Sequence, residues 1–470
     1  MQIKDINAQN NQAIPAKDSN FLQQNPHLNS LAEQPSFDEK NPPNPELIDA
    51  CVHCGFCLST CPSYRVIGKE MDSPRGRIYL MDAINEGEAP LNKTISQHFD
   101  TCLGCLACVT TCPSGVKYDK LIAATRPQVE RNIKRSLPDN FIRNLIFNIF
   151  PYPNRLRPLL IPLLAYQKLG FQKLIRATGL VEKISPRLAA MESILPEITA
   201  DSFQDNYPTV IPAQGKKRYR VGLILGCVQR IFFSPVNMAT IQVLTANGCE
   251  VVIPKSQGCC AALPEHQGQT KQAHTLAKQM IDSFANTGVD AIIINAAGCG
   301  HTLKEYGSIL QDDSEYYEKA KEFSSNVKDV QEFLANVGLT AKLSPLTEDE
   351  ELTIVYQDAC HLLHGQKISL EPRQLLQQIP GVKLREPIDA SLCCGSAGVY
   401  NMLQPEIADE LGEQKVENLL NTGAELIASA NPGCSLQIKK HLELQGKKMT
   451  LMHPIELLDY SIRGVKLQRK

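Results

Sequence analysis

At 470 residues the chain exceeds what one ordinary hydrophobic core supports, and its length points to two to four domains. A net charge of −2 creates no field that would attract nucleic acid, and a hydrophobic content of 43% is that of a soluble globular protein. Tryptophan is absent while cysteine reaches 17, and the cysteines fall into ordered sets.

The chain opens on residues 1–42, which read as a disordered tail. Met1 to Asn44 holds eight Asn and six Gln and lacks the apolar run of a signal peptide. No stretch approaches the roughly 18 uninterrupted apolar residues of a membrane span. A secreted disulfide scaffold would be short and would carry a signal. The expected compartment is therefore reducing and cytoplasmic, with the thiols free to act as ligands.

Residues 43–128 hold two tight runs, Cys51-x2-Cys54-x2-Cys57-x3-Cys61-Pro62 and Cys102-x2-Cys105-x2-Cys108-x3-Cys112-Pro113. Three cysteines spaced by two wrap one loop around three irons of a cubane. The fourth, ahead of proline, faces the other way and in two-run proteins ligates the other cluster. The expected ligands are Cys51, Cys54, Cys57 and Cys112 for one [4Fe–4S] cluster, and Cys102, Cys105, Cys108 and Cys61 for the second. Gly55 and Gly104 would let the backbone approach the sulfides. A structural zinc site is the competing reading, but zinc has no use for a third cysteine and a trailing Cys-Pro. Ser73-Pro-Arg-Gly-Arg77 reads as a capped helix start that sets Arg75 and Arg77 near the clusters, where they would offset negative charge or form ordinary surface ion pairs.

A helical linker is expected over 129–215. Within Arg126 to Arg187 there are 12 Lys/Arg against 3 Asp/Glu, interleaved with Phe141, Ile142, Leu145, Ile146, Phe147, Ile149 and Phe150. Pro151, Pro153, Pro158 and Pro162 keep the helices short or kinked. Such a stretch can lie on a membrane surface or an acidic partner. The plainer alternative is a subdomain whose apolar face packs on its neighbours.

From Lys216 the pattern becomes short β-branched runs alternating with helices, the signature of α/β layering. Strands are expected at Val221–Leu225, Glu250–Ile253 and Ala291–Ile294, then at Leu352–Tyr356, Val382–Arg385 and Glu425–Ala428. Helices are expected at 235–247, 269–287, 370–379 and 405–421. Cys227, Cys259, Cys260 and Cys299 recur as Cys360, Cys393, Cys394 and Cys434 at offsets of 133 to 135 residues. The region is thus one unit repeated, over 216–340 and 341–470. Each set of four thiols follows strand ends and can hold a further cluster or metal, a redox-active thiol pair, or nothing. Cys249 has Val382 as its counterpart and reads as a small core residue. His301, His361 and His364 stand near these cysteines as supporting groups or acids. No dinucleotide, P-loop or nucleophile-elbow motif appears, so hydride chemistry belongs on another chain.

Cys51-Val-His-Cys-Gly-Phe-Cys-Leu-Ser-Thr-Cys-Pro-Ser-Tyr64, Asp72-Ser-Pro-Arg-Gly-Arg-Ile78, Thr101-Cys-Leu-Gly-Cys-Leu-Ala-Cys108, Gly226-Cys-Val-Gln229, Gly298-Cys-Gly300 and Leu392-Cys-Cys-Gly-Ser-Ala-Gly398 together resemble the glycolate oxidase iron–sulfur subunit family over roughly residues 45 to 460. The resemblance implies a multidomain α + α/β fold, with an α-helical ferredoxin domain, a helical linker and two CCG-type repeats. It implies a subunit that takes electrons from a partner carrying FAD, which oxidises glycolate to glyoxylate. The electrons pass to a quinone or another acceptor, at most with peripheral contact on the inner face of a membrane. It carries the family's ligands onto all eight N-terminal cysteines. Two departures stand out. The first repeat reads Cys259-Cys260-Ala261 where glycine is expected, and each repeat ends in a single cysteine where heterodisulfide reductase relatives have a pair. The alternatives are the iron–sulfur subunit of a lactate or anaerobic glycerol-3-phosphate dehydrogenase, a heterodisulfide-reductase-like protein, and a zinc-stabilised scaffold.

Overall fold

A computed structural model describes residues 36–204, 206–348 and 351–468. Most of the expected tail, residues 1–35, lies outside the described residues. Residues 36–42 depart from that expectation. Gln128 and Arg131 grip them, the Asp38 carboxylate accepting from Arg131 at 2.7 and 2.8 Å and its backbone N–H donating to Gln128.

The first unit is helical. Helices Pro74–Asn85, Lys93–Asp100 and Tyr118–Asn132 close around Ile78, Met81, Ile84, Leu91, Phe99 and Leu121. Ser73 caps the first of them, accepting from the Gly76 N–H at 3.0 Å, with Pro74 at the first helical position. Short helices then run from Leu137 to Ser193, broken around Pro151 to Pro158 and at the left-handed Gly170 and Gly179, while Pro162 sits inside helix Leu160–Lys168. Their apolar residues divide. Ile142, Ile146, Phe147, Leu156 and Leu160 pack against Val399, Met402 and Ile231, whereas Ile161, Leu169, Phe171, Leu174 and Ile184 are exposed. The linker thus packs on its neighbours and also presents an apolar, basic outer face.

Two parallel sheets follow. Strands β1 (Val210–Ile211), β2 (Tyr219–Leu223), β3 (Cys249–Val252), β4 (Ala291–Ile294) and β5 (Val327–Asp329) lie in the order β1-β3-β2-β4-β5, with β1 antiparallel at the edge. Strands β6 (Leu352–Gln357), β7 (Val382–Arg385), β8 (Leu426–Ser429) and β9 (Thr450–Met452) lie in the order β7-β6-β8-β9. Without β1 the two orders are the same. The cysteine offsets therefore mark a repeated fold as well as a repeated motif. The central strands Ala-Ile-Ile-Ile and Leu-Ile-Ala-Ser are buried throughout, as parallel strands covered on both faces must be.

The repeats pack reciprocally. Helix Ser234–Ala246 of the first lies on Pro454–Arg463 of the second, and Val330–Val337 of the first lies on Leu370–Gln377 of the second. These pairs exchange under the repeat, so the contact has internal two-fold character. One core, including Val236, Ile241, Leu334, Ile354, Leu376 and Leu457, runs through both. Cys249 lies fully buried in it, as its apolar counterpart implies.

Candidate redox centre

Both N-terminal runs fold as a loop followed by a short helix, Pro62–Ile67 after the first and Ala107–Thr111 within the second. The loops share a backbone. His53 and Gly104 stand at equivalent places with φ of 51° and 65°, as do Gly55 and Leu106 with 86° and 64°. Each loop thus takes two left-handed residues, of which only one is glycine. A Cβ at Gly55 would lie 2.8 Å from the Arg75 guanidinium, and one at Gly104 would lie 3.1 Å from that of Arg126. These glycines therefore admit an arginine against the loop, a role the cluster-approach reading did not give them.

Cys51, Cys54, Cys57 and Cys112 line one depression with His53, Arg75 and Cys108. The trailing cysteine of the second run thereby joins the leading three of the first. Cys61 acts electrostatically on Cys105 and Cys108, beside Cys102. Burial pushes the Cys105 and Cys108 thiols well up, and raises Cys51 and Cys57 as well. Cys102 goes the other way. Burial opposes its thiolate, but Arg77, Arg126, the Tyr118 hydroxyl at 3.6 Å and the Gly104 N–H at 3.4 Å together hold it below its usual value.

Arg77 is 1% exposed and donates to the His98 carbonyl, Ser63 and Thr101, so it is a buried cation rather than a surface ion-pair partner. Arg75 is half-buried; it pairs with Glu70 at 2.6 Å and donates to the His53 carbonyl at 2.9 Å. Sequence reasoning missed Arg126, which donates to the Cys102 carbonyl at 2.7 Å. No spacing rule links it to the run 24 residues earlier.

In the repeats, Cys227 and Cys360 follow β2 and β6, the Cys-Cys pairs sit in loops, and Cys299 and Cys434 begin helices after β4 and β8. Cys259 Sγ lies 3.4 Å from Cys227 Sγ. Cys260 accepts from Cys259 and Cys299, and Cys394 accepts from Cys393 and Cys434. Those bonds hold the second thiol of each pair well below its ordinary value, against the effect of burial. Ala261 has φ of 66° where Gly395 has 84°, so the alanine adopts the conformation that glycine has in the second repeat.

The two sets meet. Cys227, Cys259, Cys260, Cys299, Cys360, Cys394 and Cys434 line a single cavity of about 410 Å³. Cys393 lies beside Cys360 and Cys394 and also packs with Leu103, Cys105 and Tyr400 of the adjoining core. Nε2 of His361 lies 2.9 Å from the Gly104 carbonyl, and Nδ1 of His364 lies 2.8 Å from the Thr110 hydroxyl. Both histidines therefore join the second repeat to the second cysteine run. His361 also stands 4.9 Å, ring to ring, from His301 and 4.8 Å from His266, which sequence reasoning did not single out. Burial drives His361 down to about 3 and His301 to about 4, so these rings are neutral at pH 7.

All 17 cysteines are free thiols. Among the described residues, no three or more His, Cys, Asp or Glu side chains converge as a single metal ion requires. Sets of four thiols flanked by buried arginine have the donor chemistry of a polynuclear iron–sulfur group.

Residues 47–116 match the model of a 4Fe-4S dicluster domain, and 221–304 and 354–439 each match that of a cysteine-rich domain. Residues 138–195 match the linker region of the glycolate oxidase iron-sulfur subunit. A probable glycolate oxidase iron-sulfur subunit of Bacillus subtilis is 39% identical over 87% of this chain and 92% of its own length. The chain belongs to the glycolate oxidase iron–sulfur subunit family. The Escherichia coli member is 33% identical over 88% of this chain and 94% of its own. A lactate utilization protein A of Halalkalibacterium halodurans is 27% identical over 52% of this chain and 98% of its own. As a member of this family the chain is an iron–sulfur electron-transfer subunit of an oxidoreductase, which sets aside the zinc scaffold. No helix among the described residues is long and apolar enough to cross a membrane.

Proposed function

We propose that the chain carries electrons in a flavin-dependent 2-hydroxy-acid dehydrogenase complex that oxidises glycolate to glyoxylate and delivers the electrons to a quinone or another acceptor. The linker carries the substrate assignment. Residues 138–195 match the region named for glycolate oxidase, and both relatives named for glycolate align over most of this chain, whereas the lactate relative aligns over about half. FAD and the substrate belong to a partner subunit, because this sequence holds no dinucleotide motif.

Cys51, Cys54, Cys57 and Cys112 would hold one [4Fe–4S] cluster, and Cys102, Cys105, Cys108 and Cys61 the second. The depression shared by the first set supports this exchange of trailing cysteines. When bound, such clusters take up and release single electrons, which is what a two-electron flavin needs to reach its acceptor. Arg77 and Arg126 place positive charge at Cys102 and favour its thiolate. Tyr118 and the Gly104 N–H donate to the same sulfur and fix its orientation. Cys227, Cys259, Cys260 and Cys299, and their counterparts Cys360, Cys393, Cys394 and Cys434, would hold further iron–sulfur groups with one ligand fewer than a paired ending provides. The exposed apolar and basic face of the linker suits peripheral contact with the cytoplasmic side of a membrane.

The test is isolation of the native complex by a tag on this chain, followed by assay with glycolate and both lactates. Co-purification of a flavoprotein that is active on glycolate is expected. A complex active only on lactate would overturn the substrate assignment, and absence of any flavoprotein would overturn the dehydrogenase role.

A further inference from the structure

The 410 Å³ cavity between the repeats has a second wall that the thiols do not account for. It is also lined by linker residues, among them Leu145, Ile149, Phe150, Leu159 and Leu163. Four of its lining residues carry buried polar atoms that lack a hydrogen-bond partner, Gln229 Oε1, Ser396 Oγ, Asn401 Oδ1 and His266 Nε2. Gln229, Ser396 and Asn401 are 2%, 1% and 3% exposed. Polar atoms buried without partners are costly, and four from three separate segments around one apolar cavity need a common reason.

Asn401 is the most telling of them. Its Nδ2 donates to Gln437 Oε1 at 2.9 Å, and Gln437 Nε2 in turn donates to the Ala408 carbonyl. That chain fixes the amide, so the atom left unpaired is an acceptor. Sulfides and thiolates are acceptors too and cannot pair with it. Asn401 therefore waits for a donor carried by something else, an apolar molecule with polar ends that reaches the thiol-lined floor. We propose that this cavity binds the ring of a lipophilic quinone, the terminal acceptor of the subunit.

The chemistry fits both redox states. Quinone carbonyls accept from the Ser396 hydroxyl and from His266 when its Nε2 carries the proton. The hydroxyls of the quinol donate to Asn401 Oδ1 and Gln229 Oε1. Oxidation of the 2-hydroxy acid releases two electrons and two protons. The electrons arrive singly through this subunit, two protons from water form the two O–H bonds, and the quinone leaves as quinol. The linker supplies the route, since Leu159 lines the cavity while remaining 39% exposed, beside the outer apolar residues Ile161, Leu169 and Phe171. A lipid surface is where such a ligand resides.

This inference rests on the electron-carrying role proposed above, and one experiment separates the two. Anaerobically purified complex is titrated with menadione, and binding is read by equilibrium dialysis. Iron content and thermal unfolding are measured on the same samples. Wild type should bind, and Ser396→Ala and Leu163→Trp should each weaken binding about tenfold, by loss of the donor to a quinone carbonyl and by filling of the apolar end. Leu159→Trp, at the exposed rim, serves where the buried variants do not fold. Reduction of ferricyanide by glycolate in the wild-type complex tests the underlying role separately. Equal menadione binding in wild type and folded variants would overturn the site. So would binding of a small organic disulfide in place of menadione.

Discussion

The two repeats share strand order and four thiols, but they differ at the residue after the cysteine pair and in the charge beside it. Ala261 and Gly395 adopt the same left-handed backbone for different reasons. A Cβ at Gly395 would lie 2.4 Å from the Ala408 carbonyl of helix Pro405–Leu420, whereas the methyl of Ala261 is simply buried. The cysteine pair dictates the conformation, and the neighbouring helix dictates the glycine. Charge differs too. Lys415 is buried in the second repeat, donating to the Ala390 carbonyl at 2.7 Å near Cys394, and Ile281 stands at the corresponding place in the first. The missing glycine of the first repeat therefore leaves the thiol geometry intact, while the second repeat brings a buried lysine to its thiols and bonds the second cysteine run through His361 and His364.

The sharpest way to break this comparison is to exchange the residues. Gly395→Ala should cost about 3 kcal/mol or more, through left-handed strain and collision with backbone. Ala261→Gly should change stability by less than about 1 kcal/mol. Chemical unfolding of both variants under anaerobic conditions measures this, and equal costs would refute the division of roles.

The caps of the last helices offer the next test. Asp329 caps Val330–Val337 and His453 caps Pro454–Arg463 at equivalent places, and His453 also bonds the Asn295 carbonyl of the first repeat. Burial raises Asp329 from 3.8 to about 6, so its contribution is full below 3.8 and is lost as pH rises through 6. Burial lowers His453 from 6.5 to about 4, so its contribution is full above 6.5 and is lost as pH falls through 4. The two oppose each other between pH 4 and 6.5. Relative to wild type, Asp329→Asn should gain stability as pH rises over that range and His453→Asn should lose it, each by up to roughly 3 kcal/mol. Urea unfolding at pH 4.5, 5.5 and 6.5 reads both slopes, and parallel slopes would contradict the assignment.

Two smaller effects sharpen the picture. Lys415→Met should cost about 2 kcal/mol by leaving the Ala390 carbonyl unpaired, while Ile281→Met should cost under about 1.5 kcal/mol. Cys249→Ala should cost about 1 kcal/mol with iron content unchanged, because that thiol only fills core. Thermal unfolding with iron analysis checks both pairs.

Much of this was legible in the chain. The β-branched runs gave six strands to within two residues; five of these lie inside the sheets, where parallel strands leave a nearly continuous apolar signal, while the edge strand β7 shows alternation instead. The cysteine offsets gave the repeat. The edge strands β1, β5 and β9 were not legible, having only two or three residues each. Nor were Arg126 and His266, which single tertiary contacts bring to the site without any local pattern. That Gly55 and Gly104 occupy non-equivalent places in their loops was hidden for a related reason. Leu106 and His53 bear the left-handed conformation at the matching places, which composition conceals. Nor did the sequence reveal that reciprocal helix packing turns both sets of thiols toward one cavity.

The crossing of Cys61 and Cys112 between the two clusters is tested most directly by low-temperature EPR of the reduced, anaerobically purified protein in four single variants. Cys112→Ala should leave the same residual spectrum as Cys51→Ala, and Cys61→Ala the same as Cys102→Ala. If Cys112→Ala instead matched Cys102→Ala, each run would hold its own cluster and the crossed arrangement would be wrong.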